Sequence, residues 1–274
     1  MLKQRIITAS VLGTLIVFAI FKLPTSVVAF MFAVVTLIGA WEWSSMVGAD
    51  TVLKKVLYLF LVGVSILLIE LFIRLEYKYT ILFVASIWWS GVVIMLALYR
   101  AEWLDSGVLQ KLLKYSGFIV LIPAWLALVM LHKQSPAMLM FLLAIIWVAD
   151  IAAYFTGKRY GKNKLAPELS PGKSREGVLG AFLASIVLAL AGLQFFEISK
   201  PYWAYFIILC VVIALISVVG DLYESLLKRK AGVKDSGTIL PGHGGVLDRI
   251  DSITAAAPGF VLGLSWICID CGVG

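Results

Sequence analysis

The chain has 274 residues, of which 62% are hydrophobic and 14% charged, with mean hydropathy +1.01 and formal net charge +7. A water-soluble domain is roughly 45–50% apolar and about 25% charged, so this composition excludes a fold bathed in water and demands lipid as solvent. In such a chain the positive charge reports topology, and no nucleic-acid partner is expected.

Backbone groups in hydrocarbon must be paired internally, which leaves helices or closed barrels. The apolar runs are long and unbroken rather than alternating, which predicts an all-α polytopic transmembrane bundle. Charge-free cores at 6–21, 25–41, 56–69, 79–99, 115–131, 136–149, 177–196, 201–220 and 252–269 predict about nine spans. A crossing helix needs roughly 17–25 residues. The short third and sixth cores should therefore extend past Glu70 and Asp150. The first core follows Lys3 and Arg5, is long, and has no small-x-small cleavage site after it, which predicts an uncleaved helix rather than a signal peptide. With the N-terminus cytoplasmic, 18 of the 23 Lys and Arg fall inside, and five (Lys22, Arg74, Lys78, Lys133 and Lys200) fall outside. That bias obeys the positive-inside rule and places the protein in the cytoplasmic membrane.

The first five spans carry little chemistry. Trp and Tyr cluster near span ends as interfacial anchors do. Glu42, between Trp41 and Trp43, reads as a carboxylate snorkelled to the surface. Residues 1–135 are thus expected to form a scaffold and lipid-facing part, and 136–274 to form the catalytic part with its cytoplasmic loops. The long inside segments 157–176 and 221–251 hold 11 of the 23 basic residues, together with His243. Loops of this kind are where function concentrates.

Asp150 closes an apolar run. A carboxylate at membrane depth costs roughly 2.5–3.5 kcal/mol on insertion scales, which marks it as functional. Ala153, Tyr154 and Gly157 follow it at helical spacing on one face. Gly172-Lys173-Ser174 looks like the end of a P-loop, but Pro167 stands where the first glycine belongs and no strand precedes it, so that reading fails. What remains is a Ser170-Pro171 turn that offers Lys173 and Arg175 beside a helix N-terminus, a place suited to phosphate or to anionic lipid heads.

If the eighth helix continues past its apolar core, Asp221, Glu224, Ser225 and Lys228 share one face. Pro241, Gly242, Gly244 and Gly245 then break any helix and let N–H groups converge as an anion nest. Asp248 and Asp251 follow at i, i+3 on the ninth helix, and Lys228, Arg229, Lys234 and Arg249 surround these acids. Paired carboxylates with phosphates suit Mg²⁺, one or two ions. His243 fits a hydrogen-bond donor to phosphate or to the metal's shell better than a base. A phosphate monoester with second pKa of about 6 is already ionised. Cys268 and Cys271 form a lone C-x-x-C, and Cys210 is solitary; four zinc ligands are not available, so the pair reads as incidental.

The stretch Ser225, Lys228, Arg229, Lys234, Asp235, Pro241 to Gly245, Asp248, Arg249 and Asp251 resembles the signature of phosphatidate cytidylyltransferases, also called CDP-diacylglycerol synthases. Asp150 to Gly157 with Tyr154, and Ser170, Pro171, Lys173, Ser174, Glu176 and Gly177, are similar to further family segments. Gly172 departs from them where a more basic residue is the pattern. The motifs cover the last 45% of the chain, roughly. The resemblance implies CTP and phosphatidate as substrates, CDP-diacylglycerol and pyrophosphate as products, Mg²⁺ as cofactor, and Asp221 and Asp248 as its ligands. Lys228, Arg229, Lys234, His243 and Arg249 are assigned to catalysis with those two acids. Asp150, Tyr154, Ser170, Lys173, Ser174, Glu176, Ser225, Asp235, Gly244, Gly245 and Asp251 are assigned to substrate binding. The rivals are an ion transporter using Glu70 and Asp150, a cytidylyltransferase with an ether-lipid or dolichol-like acceptor, and a CDP-alcohol phosphotransferase, whose aspartate spacing is absent. Ala255, Ala256, Ala257, Gly259 and Gly263 on the ninth span permit packing with a second copy or within the bundle.

Overall fold

The structure is a computed structural model that describes residues 2–100, 102–103, 106–239 and 244–267, the side chains of 2–10 and 12 excepted. Among the described residues the chain forms nine long helices: α1 (Leu2–Lys22), α2 (Thr25–Met46), α3 (Val52–Phe72), α4 (Leu75–Ala97), α5 (Gly107–Gln134), α6 (Pro136–Tyr160), α7 (Arg175–Phe195), α8 (Trp203–Lys230) and α9 (Leu247–Trp266). Their starts follow local chemistry. Thr51, Ser106, Ser135 and Ser174 each accept an N–H of the following first turn, and Pro136 occupies a first-turn position whose N–H would be orphaned anyway. Seven helices, α2 to α8, are long and apolar enough to cross a membrane. The described apolar stretch of α1 is only Gly13–Lys22, and α9 opens with Asp248, Arg249 and Asp251. As expected, α3 and α6 run past Glu70 and Asp150.

Two short strands interrupt the helices among the described residues. Where residues 157–176 read as an open loop, α6 continues to Tyr160 and an antiparallel hairpin follows, β1 (Lys164–Ala166) with β2 (Ser170–Ser174), in register Lys164 with Ser174 and Ala166 with Ser170. Strands of three and five residues are too short for alternation to reveal them. The segment 221–251 is also more ordered than a loop. α8 runs on to Lys230 and stops in a Schellman turn: Gly232, at φ +69, donates to Arg229 O, and Val233 donates to Lys228 O.

Helix α9 lies at the centre, packed against α8, α5, α4 and α6. Its Ala255, Ala256 and Ala257 are buried. Leu209 and Ile213 of α8 lie against Gly263 and Gly259. The small-residue face is therefore used inside the bundle. The two helices also approach closely at Gly220 of α8, where a Cβ would stand 2.5 Å from Asp251 O and 2.9 Å from the Ala255 Cβ. Large apolar side chains of α3 and α4, such as Phe60, Leu71, Phe72, Phe83 and Ile94, point outward, as lipid-facing residues do. Cys210 is buried, and Cys268 and Cys271 lie outside the described residues.

Gly220→Val should separate the α8–α9 seam and lower stability by about 1–3 kcal/mol. Thermal unfolding in detergent would show it as a lowered midpoint.

Candidate active site

The last turns of α8 project Asp221, Glu224, Ser225 and Lys228 on one face, and the first turn of α9 brings Asp248 and Asp251 opposite them. Lys228 bridges the two helices. Its ammonium donates to Glu224 Oε2 at 3.1 Å and to Asp248 Oδ1 at 2.7 Å. All three side chains are largely shielded from solvent, Lys228 at 14% exposure, Glu224 at 3% and Asp248 at 9%. In so shielded a place each carboxylate needs a compensating cation or donor. Asp251 lies beside Glu224 and within electrostatic reach of Asp221. The Glu224 Oε1 atom is buried and has no hydrogen-bond partner among the described residues.

The first polar cluster joins the second through Lys173. Carried on β2, it meets Asp221 Oδ2 at 2.8 Å and Val218 O at 3.4 Å. Asp221 also accepts from Ser225 Oγ at 3.4 Å. Asp150 of α6 is coupled electrostatically to both Lys173 and Asp221. Residues 71 positions apart in sequence thus share one electrostatic neighbourhood.

Several residues expected at the site have partners in or beside this hairpin. Ser174 caps α7 by accepting Gly177 N at 3.1 Å, and Glu176 accepts from Asn163 N and, at 2.8 Å, from Asn163 Nδ2. Arg229 Nε donates to Leu169 O at 3.2 Å, tying the hairpin turn to α8. Ser170 opens β2. Tyr154 is exposed, with the Lys158 ammonium over its ring at 5.7 Å. Lys234, Asp235 and Arg249 are exposed around the rim. His243, with Pro241 and Gly242, lies outside the described residues.

Among the described residues, the N–H expected to face a substrate anion, that of Gly245, faces a protein carboxylate. Asp248 Oδ2 accepts from Gly245 N at 2.8 Å and from the N and Oγ of Ser236, both at 3.0 Å. Gly244 sits at φ +83, a backbone state that only glycine reaches readily, and a Cβ there would crowd Asp248 Oδ2.

Glu42 corrects an expectation. It is not snorkelled to the surface but 2% exposed, and its carboxylate accepts from Ser236 Oγ, Val246 N and Leu247 N. The default for a carboxylate near a span end is the water interface. Here that default loses to the orphaned N–H groups at the start of α9. The overlooked signal was position: Glu42 stands three residues after Gly39, on the buried side of α2 with Thr36 and Trp43. Ser236 was overlooked altogether.

Among the described residues no group of three or more His, Cys, Asp or Glu is arranged to hold a metal ion. Mg²⁺ needs fewer, since it keeps several waters and takes one or two carboxylates together with substrate phosphates. Asp221 and Asp248 fit that donor set. Their oxygens are hard, and each already has a cation at about the distance of an ion pair, Lys173 and Lys228. Asp248 Oδ2 is filled by three donors and Oδ1 by the Lys228 ammonium, so a metal at Asp248 would take the place of that lysine at Oδ1.

Residues 3–267 match the model of the Cytidylyltransferase family. The chain is 38% identical over 270 residues to the phosphatidate cytidylyltransferase of Pseudomonas aeruginosa, covering 95% of this chain and 96% of that one. It is 35% identical over 280 residues to the phosphatidate cytidylyltransferase of Haemophilus influenzae, covering 95% and 97%, and 31% identical over 263 residues to that of Brucella suis, covering 93% and 90%.

Lys228→Met would leave Glu224 and Asp248 facing each other without their shared cation. Removing one partner of a buried pair costs about 3–5 kcal/mol. The thermal midpoint in detergent should fall well below that of Lys234→Met, whose side chain is at the exposed rim.

Proposed function

The chain belongs to the phosphatidate cytidylyltransferase family, and from that premise we propose that it transfers the cytidylyl group of CTP to phosphatidate at the cytoplasmic face of the cytoplasmic membrane, with Mg²⁺. The observation that carries this reading is the convergence of Asp150, Lys173 and Asp221 with Lys228, Asp248 and Asp251 where α8 ends and α9 begins. Nine spans with the N-terminus inside would put that convergence on the cytoplasmic side, where CTP is. Residues 136–274 supply most of the site, and 1–135 the lipid-facing scaffold.

In this reading a phosphate oxygen of phosphatidate attacks the α-phosphorus of CTP. The bond from that phosphorus to the oxygen bridging to the β-phosphorus breaks, and pyrophosphate leaves with the bond's electron pair. The nucleophile is already an anion near neutral pH, so no side chain has to remove a proton. Lys173 and Arg249 hold the lipid phosphate. Arg229 and Lys234 add charge on the nucleotide side, and His243 donates to a phosphate oxygen. Lys228 serves by fixing Asp248. One or two Mg²⁺ ions at Asp221 and Asp248, when bound, would supply charge neutralisation for the triphosphate and the leaving pyrophosphate. Gly244 and Gly245 contribute by placing Asp248.

Purified protein in detergent, given CTP, phosphatidate and Mg²⁺, should form CDP-diacylglycerol. Asp221→Asn should lower the rate on the order of 10²–10³-fold, the scale of losing one electrostatic group at a reacting centre. Well-folded native protein that makes no product from phosphatidate or from an ether-lipid phosphate would overturn the enzyme reading in favour of transport. Product from the ether lipid alone would move the acceptor.

A further inference from the structure

We propose that Glu42, from the N-terminal half of the chain, is a positioning residue that sets where Asp248 stands. The inference deepens the cytidylyl-transfer reading and rests on it for its kinetic consequence. Val246 and Leu247 begin α9, and both are buried. The first N–H groups of a helix have no acceptor within the helix, and Val246 has no side chain able to cap it. Glu42 supplies the cap from another helix. Its Oε1 accepts Val246 N at 3.0 Å and its Oε2 accepts Leu247 N at 2.7 Å. Negative charge at a helix N-terminus is the favoured sign.

The same carboxylate reaches Asp248 through a single hydroxyl. Ser236 Oγ stands 3.1 Å from Glu42 Oε2 and 3.0 Å from Asp248 Oδ2. It has one proton for two carboxylates, and it also accepts Asp248 N at 3.3 Å. Glu42 therefore fixes both things that orient Asp248: the start of the helix that carries it and the serine that binds it. The surrounding chain is shaped to this contact. A Cβ on Gly245 would lie 2.6 Å and 2.7 Å from the two Glu42 oxygens, and a Cβ on Gly237 would strike Glu42 Oε1. Both glycines are sites of close approach to Glu42.

A structural carboxylate would affect stability alone; a positioning one changes turnover through Ser236. The test uses the full chain in detergent with Glu42→Gln, Ser236→Ala and the double variant. Glutamine keeps the shape but turns an NH₂ toward donors. A misplacement of about 1 Å at a reacting group costs up to roughly 100-fold in rate, so Glu42→Gln should lower kcat by about 10- to 100-fold, with the KM for CTP and phosphatidate within about threefold. Ser236→Ala should lower kcat in the same way. The double variant should be no worse than the larger single one, because residues acting through one contact are not additive. Hydrogen exchange at residues 244–248 should rise in each variant while the middle of α5 stays protected. Native kcat in Glu42→Gln, or multiplicative effects in the double variant, would overturn the proposal. Should Glu42→Gln fail to fold, Ser236→Ala decides: unchanged kcat and unchanged exchange at 244–248 overturn it, and a fall with raised exchange supports it. Native protein without transferase activity would sink the reaction reading, while the exchange data would still judge whether Glu42 holds the start of α9.

Discussion

The site is organised by an excess of carboxylates at one helix crossing. Asp221, Glu224, Asp248 and Asp251 meet where α8 ends and α9 begins, Asp150 is coupled to them from α6, and Lys173 and Lys228 provide the close ion pairs. Like charges this close in a shielded place repel strongly unless a cation or a hydrogen-bond donor stands between them. Much of the surrounding structure is the supply of those cations and donors. Lys173 comes from the β1–β2 hairpin. Ser236 and Gly245 come from the connection between α8 and α9. The helices must also approach closely enough for one lysine to reach both sides, which is why position 220 has room for glycine and α9 turns alanines toward the bundle interior.

The helices were legible because lipid leaves so few choices. A chain that must satisfy its backbone internally over roughly 30 Å of hydrocarbon writes each crossing as a long apolar run. The acidic faces of α8 and α9 were legible for a related reason, since charge next to such a run has to be explained. The family resemblance at Ser225 to Asp251 agrees with the match over residues 3–267. Partner choice was not legible. That Lys228 binds Asp248, 20 positions away, or that Arg229 binds a backbone carbonyl at Leu169, depends on which helix faces which, and periodicity is silent on that. Residues marked for substrate, such as Ser174, Glu176 and Gly245, proved to have local partners as well. A motif shows that positions matter without separating contact with a ligand from support of the residues around it.

Glu42 illustrates the limit from the other side. A carboxylate in a short polar window between two tryptophans has the composition of an interfacial anchor, and the physics of snorkelling favours that reading. What reverses it is a demand created by a helix some 200 residues later, whose first N–H groups are buried without a cap of their own. Residues 1–135, expected as the scaffold and lipid-facing part, thus supply through Glu42 the acceptor for the first N–H groups of α9.

The sign of the site also constrains how the proposed substrates could bind. CTP and phosphatidate are both anionic, and the acid cluster would repel them if they arrived without cations. Lys173 and Lys228 are engaged with carboxylates, so a phosphate reaching Lys173 must compete with Asp221 for it. Under the proposed function, a divalent ion at Asp221 and Asp248 would resolve both difficulties. It would relieve the two carboxylates of their dependence on lysine, leaving Lys173 available to a phosphate, and would bring positive charge to the triphosphate. Under the proposed reaction, carboxylates, lysines and metal form one exchangeable set of charges.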